Sequence, residues 1–286
     1  MFAKKILFGE FIMTKSTTNE RETVGSYASI NGLNMYYELH GTGSPLILLH
    51  GGVGASEMFG PILPKLSENR QVIAAHLQAH GRTADIDRPL SFELMADDIA
   101  ELVKHLESEK ADIMGYSLGA GVALQTVIRH PDLVRKLVVI SAPVKRDGWY
   151  PEVLEGMESM GSETVKAIKQ SSLYQLYPET DWEVLFTKLG DLLGKDYDWS
   201  KDVAAIKSPT MIVFADADAV SMAHVMGFFA LFGGGQRDAG MDGSYRPIAQ
   251  LAILPGTTHY TILSSPSLAA FVTKFLDESV PEVERV

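Results

Sequence analysis

Short apolar runs recur along this chain, separated by longer stretches whose apolar residues return every three or four positions. Pro45 to His50 reads Pro-Leu-Ile-Leu-Leu-His, the pattern of a strand buried on both faces. Ala111 to Met114, Lys136 to Ser141, Thr210 to Phe214 and Gln250 to Leu254 share that character, and Gln71 to Ala75 is a weaker member. Tyr27 to Ile30 and Leu33 to Leu39 flank Asn31-Gly32, a pair that tolerates the positive φ angles of a tight hairpin turn. Between these runs, Leu94, Met95, Ile99, Leu102, Val103 and Leu106 follow the period of a helix over Phe92 to Leu106. Leu118 to Ile128 makes a second helix, ended by Arg129-His130-Pro131. Pro266 to Leu276 makes a third, with Ser265 at the N-cap. Strands alternating with helices predict an α/β fold, its mainly parallel sheet covered on both faces.

One stretch breaks the alternation. From Pro143 to Lys207 there is no strand pattern, several segments look helical, and all three tryptophans (Trp149, Trp182 and Trp199) fall there. It reads as a helical cap insertion, residues 143–207, laid over the strand ends of a core made of residues 26–142 and 208–286. Residues 1–25 read as a disordered leader. Lys4-Lys5 and Ile6-Leu7-Phe8 faintly resemble a secretion signal, but Glu10 interrupts the run and no small-residue cleavage site follows. Met13 is a second candidate start. Gly233-Gly234-Gly235 has no following Lys and no phosphate-loop frame, so it reads as a helix-to-strand connection.

Composition narrows the field of functions. The 286 residues suffice for one domain with a full core and an insertion. A hydrophobic content of 46% and a charged content of 21% are ordinary for a soluble enzyme. The formal net charge of −11, with no basic cluster to offset it, argues against nucleic acid and anionic membranes as partners. No run approaches the roughly 20 apolar residues of a membrane span. A cytoplasmic protein is the expectation. The absence of cysteine excludes disulfides, a thiol nucleophile and a thiolate metal site.

The chemistry centres on Gly115-Tyr116-Ser117-Leu118-Gly119, a Gly-x-Ser-x-Gly frame between a strand pattern and a helix pattern. A serine on such a turn is strained and exposed at the C-terminal edge of the sheet, and small neighbours two positions away keep the turn free of collisions. Its hydroxyl needs a base, and the base needs an orienting acid. His259, in the loop after the last strand, reaches the same edge; His40, His105, His130 and His224 fall on helices or turns. The loop after Thr210 to Phe214 offers Asp216 and Asp218. Asp218, deeper in the loop, is the acid of choice, while Asp216 at the strand end is suited to bonding backbone. Two carboxylates without further oxygen ligands are weak evidence for a cation site, and no metal is expected. For the oxyanion, the backbone N–H of Leu118 is one donor. The second comes from the glycine loop His50-Gly51-Gly52-Val53-Gly54, with Gly52 preferred and Val53 as runner-up. His50 itself is expected to pack and hydrogen-bond within the loop.

With these residues assembled, the chain resembles the α/β-hydrolase superfamily. The order Ser117, Asp218, His259 carries the resemblance, with His50-Gly51-Gly52 upstream and an insertion between. Gln78-Ala79-His80-Gly81-Arg82-Thr83 adds a strand-end turn that usually has glycine where Ala79 stands. Ala120 likewise replaces a commoner glycine. The resemblance spans residues 26 to 280 and is nearest to small capped serine esterases, enol-lactonases and cofactor-free perhydrolases. It implies an eight-stranded, mostly parallel sheet and no cofactor. The expected activity is serine carboxylester hydrolysis of small to medium ester substrates through an acyl-enzyme. The alternatives are an enol-lactonase or carbon–carbon bond hydrolase with the same triad, a perhydrolase side activity, or a receptor-like member with slow turnover. Haloalkane dehalogenases and epoxide hydrolases need a carboxylate where this chain has Ser117. The physiological ester and the oligomeric state, a homodimer included, are left open.

Overall fold

A computed structural model describes residues 24–279, Gly161 apart. The leader expected over residues 1–25 lies outside the described residues, except for Val24 and Gly25, which open the first strand. Asn31-Gly32 joins β1 (Val24–Ile30) to β2 (Leu33–His40) in an antiparallel hairpin, with φ of 47° and 88° at the two turn residues. There follow β3 (Ser44–Leu49), α1 (Leu63–Leu66), β4 (Arg70–Ala75), α2 (Phe92–His105), β5 (Ala111–Tyr116), α3 (Leu118–Arg129) and β6 (Val134–Ile140). A helical segment comes next, with α4 (Pro151–Glu158), α5 (Ser162–Ile168), α6 (Ser172–Leu176), α7 (Trp182–Leu193) and α8 (Ser200–Val203). After it come β7 (Thr210–Ala217), α9 (Met222–Leu231), β8 (Ala249–Thr258) and α10 (Pro266–Asp277).

The strands form one eight-stranded sheet in the order β1-β2-β4-β3-β5-β6-β7-β8. The β1–β2 and β2–β4 pairs are antiparallel, and every pair from β4 to β8 is parallel. Along β3, Leu46 and Leu48 pack into one apolar layer with Leu66 of α1 and Phe275 of α10. Ile47 and Leu49 pack into the other, with Met95 of α2 and Val122 of α3. Burial on both faces is why this strand is apolar throughout and does not alternate.

Lys136 on β6 is a buried exception to this apolar character. Its Nζ donates to the main-chain oxygens of Phe275 (2.7 Å), Leu276 (3.2 Å) and Glu278 (2.5 Å). The ammonium thus caps the C-terminus of α10, where the helix dipole favours a cation. At the other end of α10, Ser265 holds the N-cap position without a side-chain capping bond, and Pro266 fills the first turn.

The helical segment between β6 and β7 is fastened to the rest by a few specific bonds. Lys188 Nζ on α7 donates to Asp85 Oδ2 (2.6 Å) and to the carbonyls of Ile86 (2.9 Å) and Arg88 (2.7 Å). Thr180 Oγ1 donates to Gly81 O (2.9 Å), and the Tyr177 hydroxyl to Glu57. Near its start, an isolated bridge pairs Trp149 with Val220, and Tyr150 N–H donates to Ala219 O (3.1 Å). Among the described residues, no helix is long and apolar enough to cross a membrane.

Candidate active site

Four neighbouring parallel strands end in one row, and each is followed at once by a polar residue. Ser117 follows β5, Ser141 follows β6, Asp218 follows β7 and His259 follows β8. β3, on the other side of β5, runs into His50 and the glycine loop. The sheet thereby brings Ser117 and His259 together across 142 positions of sequence.

Ser117 sits at φ 52°, ψ −116°, a region that side-chain-bearing residues rarely enter. Its N–H donates to Ile140 O at 2.9 Å, tying the turn to β6. The flanking glycines are demanded by space. A Cβ on Gly115 would stand 2.2 Å from Gly119 O, and one on Gly119 would stand 2.2 Å from Leu49 O. α3 begins at Leu118, so the first N–H groups of that helix, which lack intrahelical partners, open beside the serine.

His259 Nε2 lies 3.2 Å from Ser117 Oγ, and its Nδ1 lies 3.1 Å from Asp218 Oδ1. With Nδ1–H donating to the carboxylate, the Nε2 lone pair faces the serine hydroxyl. The Tyr116 hydroxyl donates to His259 O (2.7 Å), and the Trp149 ring meets the imidazole edge-on at 5.5 Å. Asp218 accepts further bonds from Ser141 Oγ (2.6 Å) and from the N–H groups of Ala215 (2.9 Å) and Ala219 (2.8 Å). Burial alone pushes its pKa up, but the bonds from His259, Ser141 and Ala215 outweigh burial and hold it below the usual carboxylate range. Asp216 is engaged elsewhere. Its carboxylate accepts from Gly256 N–H (2.9 Å) and Thr257 N–H (3.1 Å), bonds that lower its pKa and brace the β8 end.

The loop after β3 lies against Ser117. A Cβ on Gly51 would sit 3.5 Å from Ser117 Cβ, and one on Gly52 would sit 3.9 Å from Leu118 Cβ. Val53 takes a φ of 60° as the loop turns. His50 clamps it: Nδ1 donates to Gly51 O (2.8 Å), and Nε2 accepts from Leu77 N–H (3.1 Å). Burial drives the His50 pKa down to about 3, and His76 and His80, packed beside it, fall to about 3 as well. All three are neutral packing groups at pH 7. Elsewhere, His224 Nε2 accepts from Val144 N–H (3.1 Å), and His130 pairs with Asp97 (2.7 Å).

Two residues at this site carry no motif and were missed in the sequence. Ser141 could have been found as a small polar residue directly following a buried strand on the edge that presents Ser117. Trp149 had no such signal. It lines the cavity, whereas Trp182 donates to Tyr177 O (3.2 Å) and Trp199 packs on Phe92 and Tyr197.

Ser117 and His259 line a cavity of about 530 Å³. Gly52, Val53 and Leu118 form part of one wall, and Met157, Met160, Phe186 and Leu189 of the helical segment form part of another. A family model described as the alpha/beta hydrolase fold matches residues 44–180. Over that stretch the chain is similar to the α/β-hydrolase superfamily, and its sheet has that fold. Among relatives, a soluble epoxide hydrolase of Corynebacterium sp. (strain C12) is 36% identical over 116 residues, 40% of each chain. The match thus spans less than half the length of that relative. Among solved structures, an E-2-(acetamidomethylene)succinate hydrolase superposes with a TM-score of 0.71 at 21% identity, covering 90% of this chain and 100% of the other. The enol-lactonase from Burkholderia xenovorans LB400 gives 0.69 at 17% identity, over 88% and 100% of the two chains. At these identities the likeness speaks for the fold.

Proposed function

We propose that this chain is a serine hydrolase of carboxylic esters that works through an acyl-enzyme. The observation that carries the reading is the unbroken chain Ser117 Oγ to His259 to Asp218, at 3.2 and 3.1 Å, on a strained turn that opens into the cavity. Ser117 attacks the ester carbonyl while His259 Nε2 takes its proton. Asp218 holds the imidazolium, and the Gly52 and Leu118 N–H groups receive the oxyanion. His259 then protonates the departing alcohol, and a water activated by the same imidazole releases the acid. In this reading, residues 143–207 cap the site.

The relative with epoxide hydrolase in its name does not redirect the reading, because epoxide opening in this superfamily needs a carboxylate at the position of Ser117. The likeness to an enol-lactonase supports a second reading, in which the scissile ester is cyclic and the triad acts in the same way. The test is hydrolysis of 4-nitrophenyl esters from acetate to decanoate, with an enol-lactone arm, beside Ser117→Ala. Sustained turnover that vanishes in the variant is the expected result. A single burst without turnover refutes sustained hydrolysis and supports a receptor-like member. Turnover retained in Ser117→Ala removes the nucleophile assignment.

A further inference from the structure

The cavity that holds Ser117 has an unusual charge pattern for a site that must admit a polar ester. Among the described residues that line it, none is Lys or Arg, and Glu57 carries the one carboxylate. Glu57 accepts from the Tyr177 hydroxyl and from Ser56 Oγ (3.3 Å). Arg82 comes within 3.6 Å of Glu57 but is shared with Glu38 at 3.4 Å. Its guanidinium is also enclosed between the rings of Tyr36 (4.9 Å) and Tyr177 (5.3 Å). Glu38 is paired with His40 as well (3.2 Å), whereas Glu57, among the described residues, has no cation nearer than this shared guanidinium. The net charge of −11 over the whole chain adds to its negative field.

The remaining wall is built for an apolar body. Met58, Met157 and Met160 adapt to irregular shapes, and Phe186 and Leu189 offer rigid apolar surface. A volume near 530 Å³ falls in the range of sites for drug-sized ligands and far exceeds the space an acetyl group needs. A carboxylate carried into this space would lose its hydration, find no unshared cation and face Glu57.

Resting on the serine-hydrolase reading above, we infer that the substrate is an uncharged ester with a bulky apolar body, and that Glu57 turns away esters bearing a carboxylate. Glu57 is a specificity-determining residue in this scheme and takes no part in the bond changes.

A matched pair tests it: 4-nitrophenyl hexanoate against mono-(4-nitrophenyl) adipate, which differ by a terminal methyl and carboxylate. The neutral ester is expected to exceed the anionic one in kcat/KM by about 100-fold or more, the consequence of an unpaired buried charge. Glu57→Gln, which keeps hydrogen-bonding capacity, is expected to narrow that gap by about 5- to 10-fold. A second readout needs no turnover: binding of hexanophenone and of 6-oxo-6-phenylhexanoate to Ser117→Ala, followed by tryptophan fluorescence. Selective binding of the ketone supports the inference even if neither ester is hydrolysed, in which case only the hydrolase reading falls. Esters hydrolysed within about threefold of each other, or the keto acid bound as tightly as the ketone, overturn the inference while leaving the nucleophile in place.

Discussion

At the sheet edge, Ser117, Ser141, Asp218 and His259 each stand one residue past a strand, so the backbone ladders of β5 to β8 set their spacing. Across the cavity, residues 143–207 have the isolated Trp149–Val220 bridge in place of a ladder, and side chains tie them to the rest: Lys188 to Asp85, Thr180 to Gly81, Tyr177 to Glu57. The first arrangement is continuous with the deepest core of the molecule. The second also packs Leu185, Phe186 and Leu189 into one of the same apolar layers, and these individual bonds add to that packing. One edge of the cavity is thus fixed by strand ladders and the other by helix packing and side-chain bonds, so variants on each side test separate supports.

The sharpest break would come at Ser117, the proposed nucleophile. Ser117→Ala is expected to lower kcat/KM for a 4-nitrophenyl ester by about 10³-fold or more, with a thermal melt close to that of the parent. Ser117→Gly should be equally inactive yet melt a few degrees higher, since glycine relieves the strain at φ 52°. A lower melting temperature for the glycine variant would contradict the strained turn.

Next in size is Ser141→Ala, which removes the 2.6 Å bond to Asp218. A fall in kcat of about tenfold with KM little altered is expected, as for a group that only positions the acid. The pH dependence of stability gives an independent reading. Because the folded Asp218 pKa is lowered, the stability from its ionisation is present above the unfolded carboxylate pKa and is lost as pH falls through the folded value. Loss of the Ser141 bond raises the folded pKa, so the acid side of a melting-temperature profile should move to higher pH. Superimposable profiles would leave Ser141 without this role.

On the other side of the comparison, Lys188→Met removes three hydrogen bonds that the ammonium now makes, to Asp85, Ile86 and Arg88. A stability loss of about 2–3 kcal/mol is expected, with faster proteolytic cutting inside residues 143–207. Hydrolysis of an acetate ester, too small to need the far wall, should stay within about threefold of the parent. Collapse of acetate turnover would show that the two halves are coupled. The smallest effect concerns Ala79, buried at a φ of 65°. Ala79→Gly should stabilise the fold by about 1 kcal/mol by removing a left-handed alanine, a shift that calorimetry resolves.

The same division explains what could be read from the sequence. Local rules suffice at the sheet: Asn31-Gly32 turns where such a pair should, and the runs at Pro45 and Thr210 become β3 and β7. The Gly115 and Gly119 positions follow from the crowding that the Gly-x-Ser-x-Gly frame implies. Choosing between Asp216 and Asp218 is harder, since the two differ in contacts 40 or so residues away. The helical segment is legible in the sequence as a helical insertion, residues 143–207, but its inner contacts are not. Which of its tryptophans would meet the cavity depends on long-range packing, and nothing in the spacing of Trp149, Trp182 and Trp199 encodes it. Ser141 was passed over because a lone serine after a strand gains meaning only when the neighbouring strand's Asp218 stands beside it.

Lys136 has a consequence for how the molecule is made. Its ammonium sits in the middle of the sheet, but the carbonyls that satisfy it arrive 139 to 142 residues later in the chain. During synthesis from the N-terminus, β6 therefore emerges with a charge that cannot be comfortably enclosed until Phe275 to Glu278 have followed. His259, which completes the contact with Ser117, arrives almost as late. Partial chains therefore lack both the enclosed ammonium and the Ser117–His259 contact, and both are completed only in the last stretch of the fold, from His259 to Glu278.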